Sequence, residues 1–101
     1  MFNIIARKTI LDYCQRYREA SPALKLWYHT MQKLEITNMN ELKEVFPNAS
    51  IIEDNRIVFN ICGNRYRLVV RIVFEFKVIQ IKWFGKHNEY DRINAGKINF
   101  N

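Results

Sequence analysis

His87, Tyr90 and Asp91 stand together in a short segment, GKHNEYD, of a chain that carries two histidines in all. An imidazole gains and loses a proton near neutral pH, so His87 can serve as base or acid. Asp91 follows one helical turn later, within reach to orient the ring if the segment is helical, and Tyr90 projects beside it. Upstream, Arg67 sits inside an alternating run, YRLVVRI. A guanidinium grips a phosphate through two parallel hydrogen bonds, which an ammonium cannot do. Arg71 follows on the same side of that run, and Lys82 can lie across from them on the next. Metal-free cleavage of a phosphodiester beside a 2′-hydroxyl needs a base, cations for the phosphate as it gains charge, and an acid for the leaving oxygen. This set offers a candidate for each.

The plainer alternative makes His87 a loop-end histidine, Asp91 a helix cap, and the arginines a solvated sheet face worth little to stability. Against it stands a lopsided charge pattern, since Asp54 and Glu75 fall at corners and leave that face cationic. Asn60 and Asn64 can hydrogen-bond a base or ribose, although a turn position already accounts for Asn64. By parity Trp83 belongs to the core, while Phe84 falls on the polar face, where an aromatic ring can stack on an unpaired base. His29, Cys14 and Cys62 have no ligand spacing, so no metal and no cofactor are expected.

These side chains need a rigid frame, and residues 56–91 supply it. Two-residue alternation over successive runs gives antiparallel strands, because strand side chains point to opposite faces in turn. Ile57, Phe59 and Ile61 share one face with Tyr66, Leu68, Val70, Ile72, Phe74, Ile79, Ile81 and Trp83. Arg56, Val58, Asn60, Arg65, Arg67, Val69, Arg71, Val78, Gln80, Lys82 and Phe84 share the other. Gly63 and Asn64 suit a type II′ turn between the first two runs, and residues 74–77 form a second corner. Asp54 and Asn55 turn the chain after a short strand over residues 50–53, and Gly85 ends the last strand before a helical turn or two over residues 86–93.

The first half reads as helices. Residues 2–6 are apolar enough for an edge strand. Thr9 caps a helix with Ile10, Tyr13, Cys14 and Tyr17 on one stripe. Ser21 and Pro22 start a second helix, with Ser as cap and Pro in the first turn, burying Leu24, Trp27, Tyr28, Met31 and Leu34. Asn40 caps a short piece over residues 41–46 that Pro47 ends. The expected class is α+β: two to three helices on one face of a small, mainly antiparallel sheet, the other face open.

At 101 residues the chain has the size of one domain, and 49% hydrophobic residues suffice for a core without metal or disulfide staples. The net charge of +6 favours an anionic partner, nucleic acid or an acidic protein. Arg7 and Lys8 are not followed by an apolar stretch of secretory type, and no apolar run is long enough to cross a bilayer. With two unspaced cysteines, these features lead us to expect free thiols, a cytoplasmic setting and no membrane association.

Several stretches closely resemble HigB-type toxins of the RelE-like mRNA interferase superfamily: IIARKTILDY, LKLWYH, FPNASIIEDNRIVFNICGNRYRLVV and FGKHNEYDRI. The likeness spans residues 3–93 and is most specific where the hairpin run is paired with GKHNEYD. It implies a single RelE-like toxin domain over residues 1–101, a type II toxin whose ribonuclease activity cleaves mRNA, usually on a translating ribosome, and a HigA-like helix-turn-helix antitoxin. By motif, Arg67 matches the strand arginine used on the scissile phosphate, and His87 and Tyr90 match the segment supplying further catalytic groups. Lys86 stands where relatives often carry threonine and is a candidate phosphate contact. Val58 and Asn60 replace lysines of RelE itself, so which residue is base and which acid stays open. A non-catalytic RNA- or ribosome-binding inhibitor of translation is the alternative, and a docking face for an acidic protein is a third reading.

Overall fold

Alternation carries the second half of the chain into strands as expected, and short strands at both ends of the sheet complete it. The computed structural model describes residues 1–5 and 7–95, and for Arg7 the backbone alone. Ala6, the last residue of the expected edge strand, lies outside that description, as do residues 96–101. The strands are β1 (Asn3–Ile5), β2 (Ser50–Ile52), β3 (Arg56–Ile61), β4 (Tyr66–Val73) and β5 (Val78–Lys86). They form one sheet in the order β1-β5-β4-β3-β2, with β1 parallel to β5 and the remaining neighbours antiparallel. Helices α1 (Arg7–Arg16), α2 (Ser21–Lys33) and α3 (Met39–Val45) precede β2, and a single turn, α4 (His87–Tyr90), follows β5.

The helices cover one face. Ile10, Tyr13, Leu24, Trp27, Met31 and Leu42 are buried against Ile57, Phe59, Leu68, Val70, Ile72 and Ile79. Aromatic rings lock the layers together: Trp27 and Phe46 each meet Phe59 edge-on, at 5.4 and 5.0 Å between centroids. Each such side chain fully buried is worth about 1.5–3 kcal/mol.

Helix starts differ from expectation. α1 begins at Arg7, ahead of Thr9. Ala20 precedes α2, so Ser21 is already helical and Pro22 sits in its first turn. Asn38, not Asn40, caps α3: its side chain accepts the Glu41 N–H at 3.0 Å, while Glu41 Oε1 accepts from Thr37 N and Oγ1. Those two bonds hold the Glu41 carboxyl below the usual carboxylate range. The β3–β4 connection is a four-residue loop, 62–65, with Cys62 and Gly63 both at positive φ, rather than a two-residue type II′ turn.

Two corrections bear on the site. First, β5 is not in phase throughout. Val70 pairs with Ile81 but Val69 pairs with Trp83, so Lys82 is an extra residue in a bulge, and a bulge shifts everything beyond it by one face. Phe84 is therefore buried on the helix side, stacked on Tyr66 at 5.5 Å and 5° and close to Tyr13 and Tyr17. Trp83 takes the opposite face. Second, that face is free of α1–α3 but is partly covered by the segment after α4: Ala95, Ile93 and Tyr90 pack with Trp83 over Val58 and Val69. Arg56, expected on the free face, is 4% exposed beneath this cover and donates from Nη1 to the Ala95 carbonyl at 2.9 Å. Burying a guanidinium costs several kcal/mol unless hydrogen bonds and counter-charge offset it, and the Asp54 carboxylate lies 3.8 Å from its Nε.

Candidate functional site

Strand register decides which cations meet. Arg67 is flanked by Asn60 on β3 and by Gly85 on β5. Its Nη1 donates to the carbonyls of Asn64 at 2.9 Å and Tyr66 at 3.1 Å. Nε and Nη2 make no hydrogen bond among the described residues, so a fixed guanidinium keeps a donor edge free for an anion. His87 follows Gly85 by two residues, and its backbone N–H donates to the Arg65 carbonyl at 2.9 Å, tying α4 to the start of β4. Glu89 holds that turn from within, accepting the Lys86 N–H at 2.9 Å.

The imidazole is exposed and borders a cavity of about 290 Å³ with Glu19, Arg65, Tyr66, Lys86 and Asn88. Glu19 forms an ion pair with Arg65 and accepts a hydrogen bond from the Tyr66 hydroxyl at 3.4 Å. A carboxylate from the turn between α1 and α2 thus lines the same cavity as His87. Asp91 caps α4, its backbone N–H donating to the His87 carbonyl at 3.3 Å. Among the described residues its carboxylate makes no bond to the imidazole. Tyr90 is half-buried, its ring 6.2 Å from that of Trp83.

Arg71 and Lys82 belong to a different group. Arg71 pairs with Arg56 and Gln80 in the register, four residues from Arg67, or about 13 Å at the rise of a strand. Its Nε lies 3.4 Å from Asp54, which also faces Arg56. Lys82 joins this cluster: burial first, then Arg56 and Arg71, push its ammonium pKa down, with Asp54 opposing. The site residues therefore spread along the sheet. Arg67, Asn60, Asn64, Lys86 and His87 lie at one end of the sheet, Arg71 lies toward the other beside the buried Arg56, and Lys82 sits in the bulge between the two rows.

Phe84, proposed as a base-stacking ring, is in the core, and Trp83 takes that position. A Cβ at Gly85 would stand 2.7 Å from Trp83 Cη2, so the indole reaches along β5 to the row of Arg67. Periodicity turned Trp83 to the wrong face and gave no sign of the Glu19–Arg65 ion pair that borders the His87 cavity. The two adjacent aromatics of KWFGK signal that one of them must face outward, though not which. Among the described residues no group of three or more His, Cys, Asp or Glu side chains is placed to hold a metal ion, and no helix is long and apolar enough to cross a membrane.

Helices banked on one face of a five-stranded sheet, with arginine and histidine gathered at one end, fit the RelE-like toxin class. The chain belongs to the HigB toxin family, described as the RelE-like toxic component of a toxin-antitoxin system, whose profile matches residues 20–93. The mRNA interferase toxin HigB of Escherichia coli K12 is 30% identical over 95 residues, covering 92% of this chain and 91% of that protein. The proteins called mRNA interferase HigB in Escherichia coli O157:H7 and Shigella flexneri match equally. A toxin of such a system implies an antitoxin as its partner.

Proposed function

We propose that this toxin is a cytoplasmic, single-domain mRNA endoribonuclease that works on the translating ribosome and is held in check by a HigA-like helix-turn-helix antitoxin. Its relatives' names supply the substrate. The observation that carries the reading is the register pairing of Arg67 with Gly85, which sets a fixed guanidinium beside the strand end that leads into His87.

In the proposed reaction the 2′-hydroxyl of one nucleotide attacks the adjacent phosphorus and the 5′ oxygen of the next nucleotide departs, leaving a 2′,3′-cyclic phosphate. Side chains rather than a metal ion carry it. Nε and Nη2 of Arg67 hold the phosphate as its charge grows. His87 takes the proton from the attacking hydroxyl or delivers one to the leaving oxygen. Lys86 holds the same linkage, Tyr90 acts beside it and Asp91 orients the α4 turn. Arg71 and Lys82, further along the sheet, hold a neighbouring phosphate of the same strand, and Trp83 stacks on a base.

Mapping RNA 5′ ends after a brief pulse of expression tests this. New ends are expected with the intact protein, and both ends and growth arrest should be lost in Arg67→Ala and His87→Ala. Arrest without new ends would instead leave a non-catalytic inhibitor that blocks translation by occupancy.

A further inference from the structure

We propose that the cavity on the β3 side of Arg67 is a subsite for one unpaired RNA base next to the linkage Arg67 holds. This rests on the nuclease reading and adds a recognition element to it. β2 pairs with β3 only through residues 56–58, so among the described residues no strand covers the outer edge of β3 at Phe59 and Asn60. The loop between α3 and β2 and the β3–β4 hairpin border this gap. They enclose a cavity of about 400 Å³ whose lining includes Phe46, Asn48, Phe59, Asn60, Gly63 and Asn64.

The lining has the two features by which proteins hold an unpaired base, an aromatic surface and polar groups facing the base edge. Phe46 is half-buried, its ring set edge-on against Phe59 with an interplanar angle of 77°. Around it stand the amides of Asn48, Asn60 and Asn64, each with donors and an acceptor. None of the three side chains makes a hydrogen bond within the described chain. Gly63, at φ 67°, has no atom of the described residues, its chain neighbours aside, within 4 Å of where a Cβ would sit, so the mouth is open there. Among the described residues no charged side chain lines the cavity, which suits a neutral base and disfavours a phosphate or an acidic peptide. Its position fits as well: Asn60 is the β3 neighbour of Arg67, and the Asn64 carbonyl accepts from Arg67 Nη1.

Asn48 is exposed and lies outside the proposed reaction, so Asn48→Ala isolates the subsite. After a brief pulse of expression, RNA 5′ ends are mapped for the intact protein and for Asn48→Ala. The intact protein should favour particular bases at a nucleotide flanking the cut. In the variant that preference should fall roughly fivefold or more, the low end of what an amide–base pair discriminates, while cutting continues. Unchanged base frequencies around the cut would overturn the proposal. Should the intact protein produce no new ends, the nuclease reading fails, and crosslinking of 4-thiouridine-labelled RNA to the protein in the same cells decides the subsite separately. An adduct on the peptide containing Asn48 supports it; adducts elsewhere only, or none, overturn it.

Discussion

The indole of Trp83 lies against the backbone of Gly85, so closely that a Cβ there would meet Cζ2 at 2.8 Å as well as Cη2, with Glu89 Oε1 at 3.2 Å. Glu89 is the residue that accepts the Lys86 N–H at the start of α4. We expect Gly85→Ala to displace the indole or the Glu89 cap and so shift the turn that bears His87. RNA cleavage should fall more than tenfold, with a loss of stability of about 1–3 kcal/mol, the usual cost of forcing bulk into a packed site. Full cleavage by this variant would show that the close approach has no bearing on the site.

Trp83 and Phe84 should respond in opposite ways. Phe84→Ala removes a ring stacked in the core and should cost about 3–5 kcal/mol in urea denaturation. Trp83→Ala should cost less stability but weaken binding of single-stranded RNA by about 1–3 kcal/mol, the scale of one base–aromatic stack. The reverse pattern would place the bulge elsewhere.

Arg67→Lys keeps the charge and loses the forked pair of donors. New RNA ends should fall by about 10²–10³, the scale on which one transition-state donor counts. Stability should drop by only about 1 kcal/mol, the worth of its bonds to the Asn64 and Tyr66 carbonyls. An ammonium that cleaves as well as the guanidinium would rule out two-point phosphate contact.

Lys82 offers a test through pH. Its folded pKa lies below the unfolded value of about 10.4, chiefly through burial and then through Arg56 and Arg71. Between the two values the unfolded chain binds more protons, so stability rises with pH across that window, and the cost of the charged lysine is fully present below it. Lys82→Met should therefore melt higher than the parent at neutral pH, with the gap closing as pH climbs through the folded pKa toward about 10.4. Melting curves that stay parallel over that range would contradict a depressed ammonium.

Much of this frame is written in local pattern, and the exceptions share one cause. Ile57, Phe59, Leu68, Val70, Ile79 and Ile81 take the core face that two-residue alternation assigns them, because each strand is half-buried and regular there. Alternation fails after Ile81, where the pocket made by Tyr13, Tyr17 and Tyr66 draws in Phe84. Those partners are remote in sequence, so no local window contains the reason for the bulge. Arg56 is misjudged for a like reason: parity turns it outward correctly, but its cover arrives from Ala95, after β5 and α4 are complete. Alternation puts Arg67 and Arg71 on one face but says nothing about their separation along the strand, which sets Arg71 beside Arg56. The cap at Asn38 in place of Asn40 is a smaller miss, decided by where Thr37 and Glu41 meet.

The extra residue at Lys82 makes the outward side of the strand's far end a matter of counting. Deleting that one position would turn the tryptophan inward and the phenylalanine outward, whatever chemistry the removed side chain carried. Between Ile81 and Trp83, spacing is thus a tighter constraint on the chain than identity, and length changes there should be far less tolerated than exchanges.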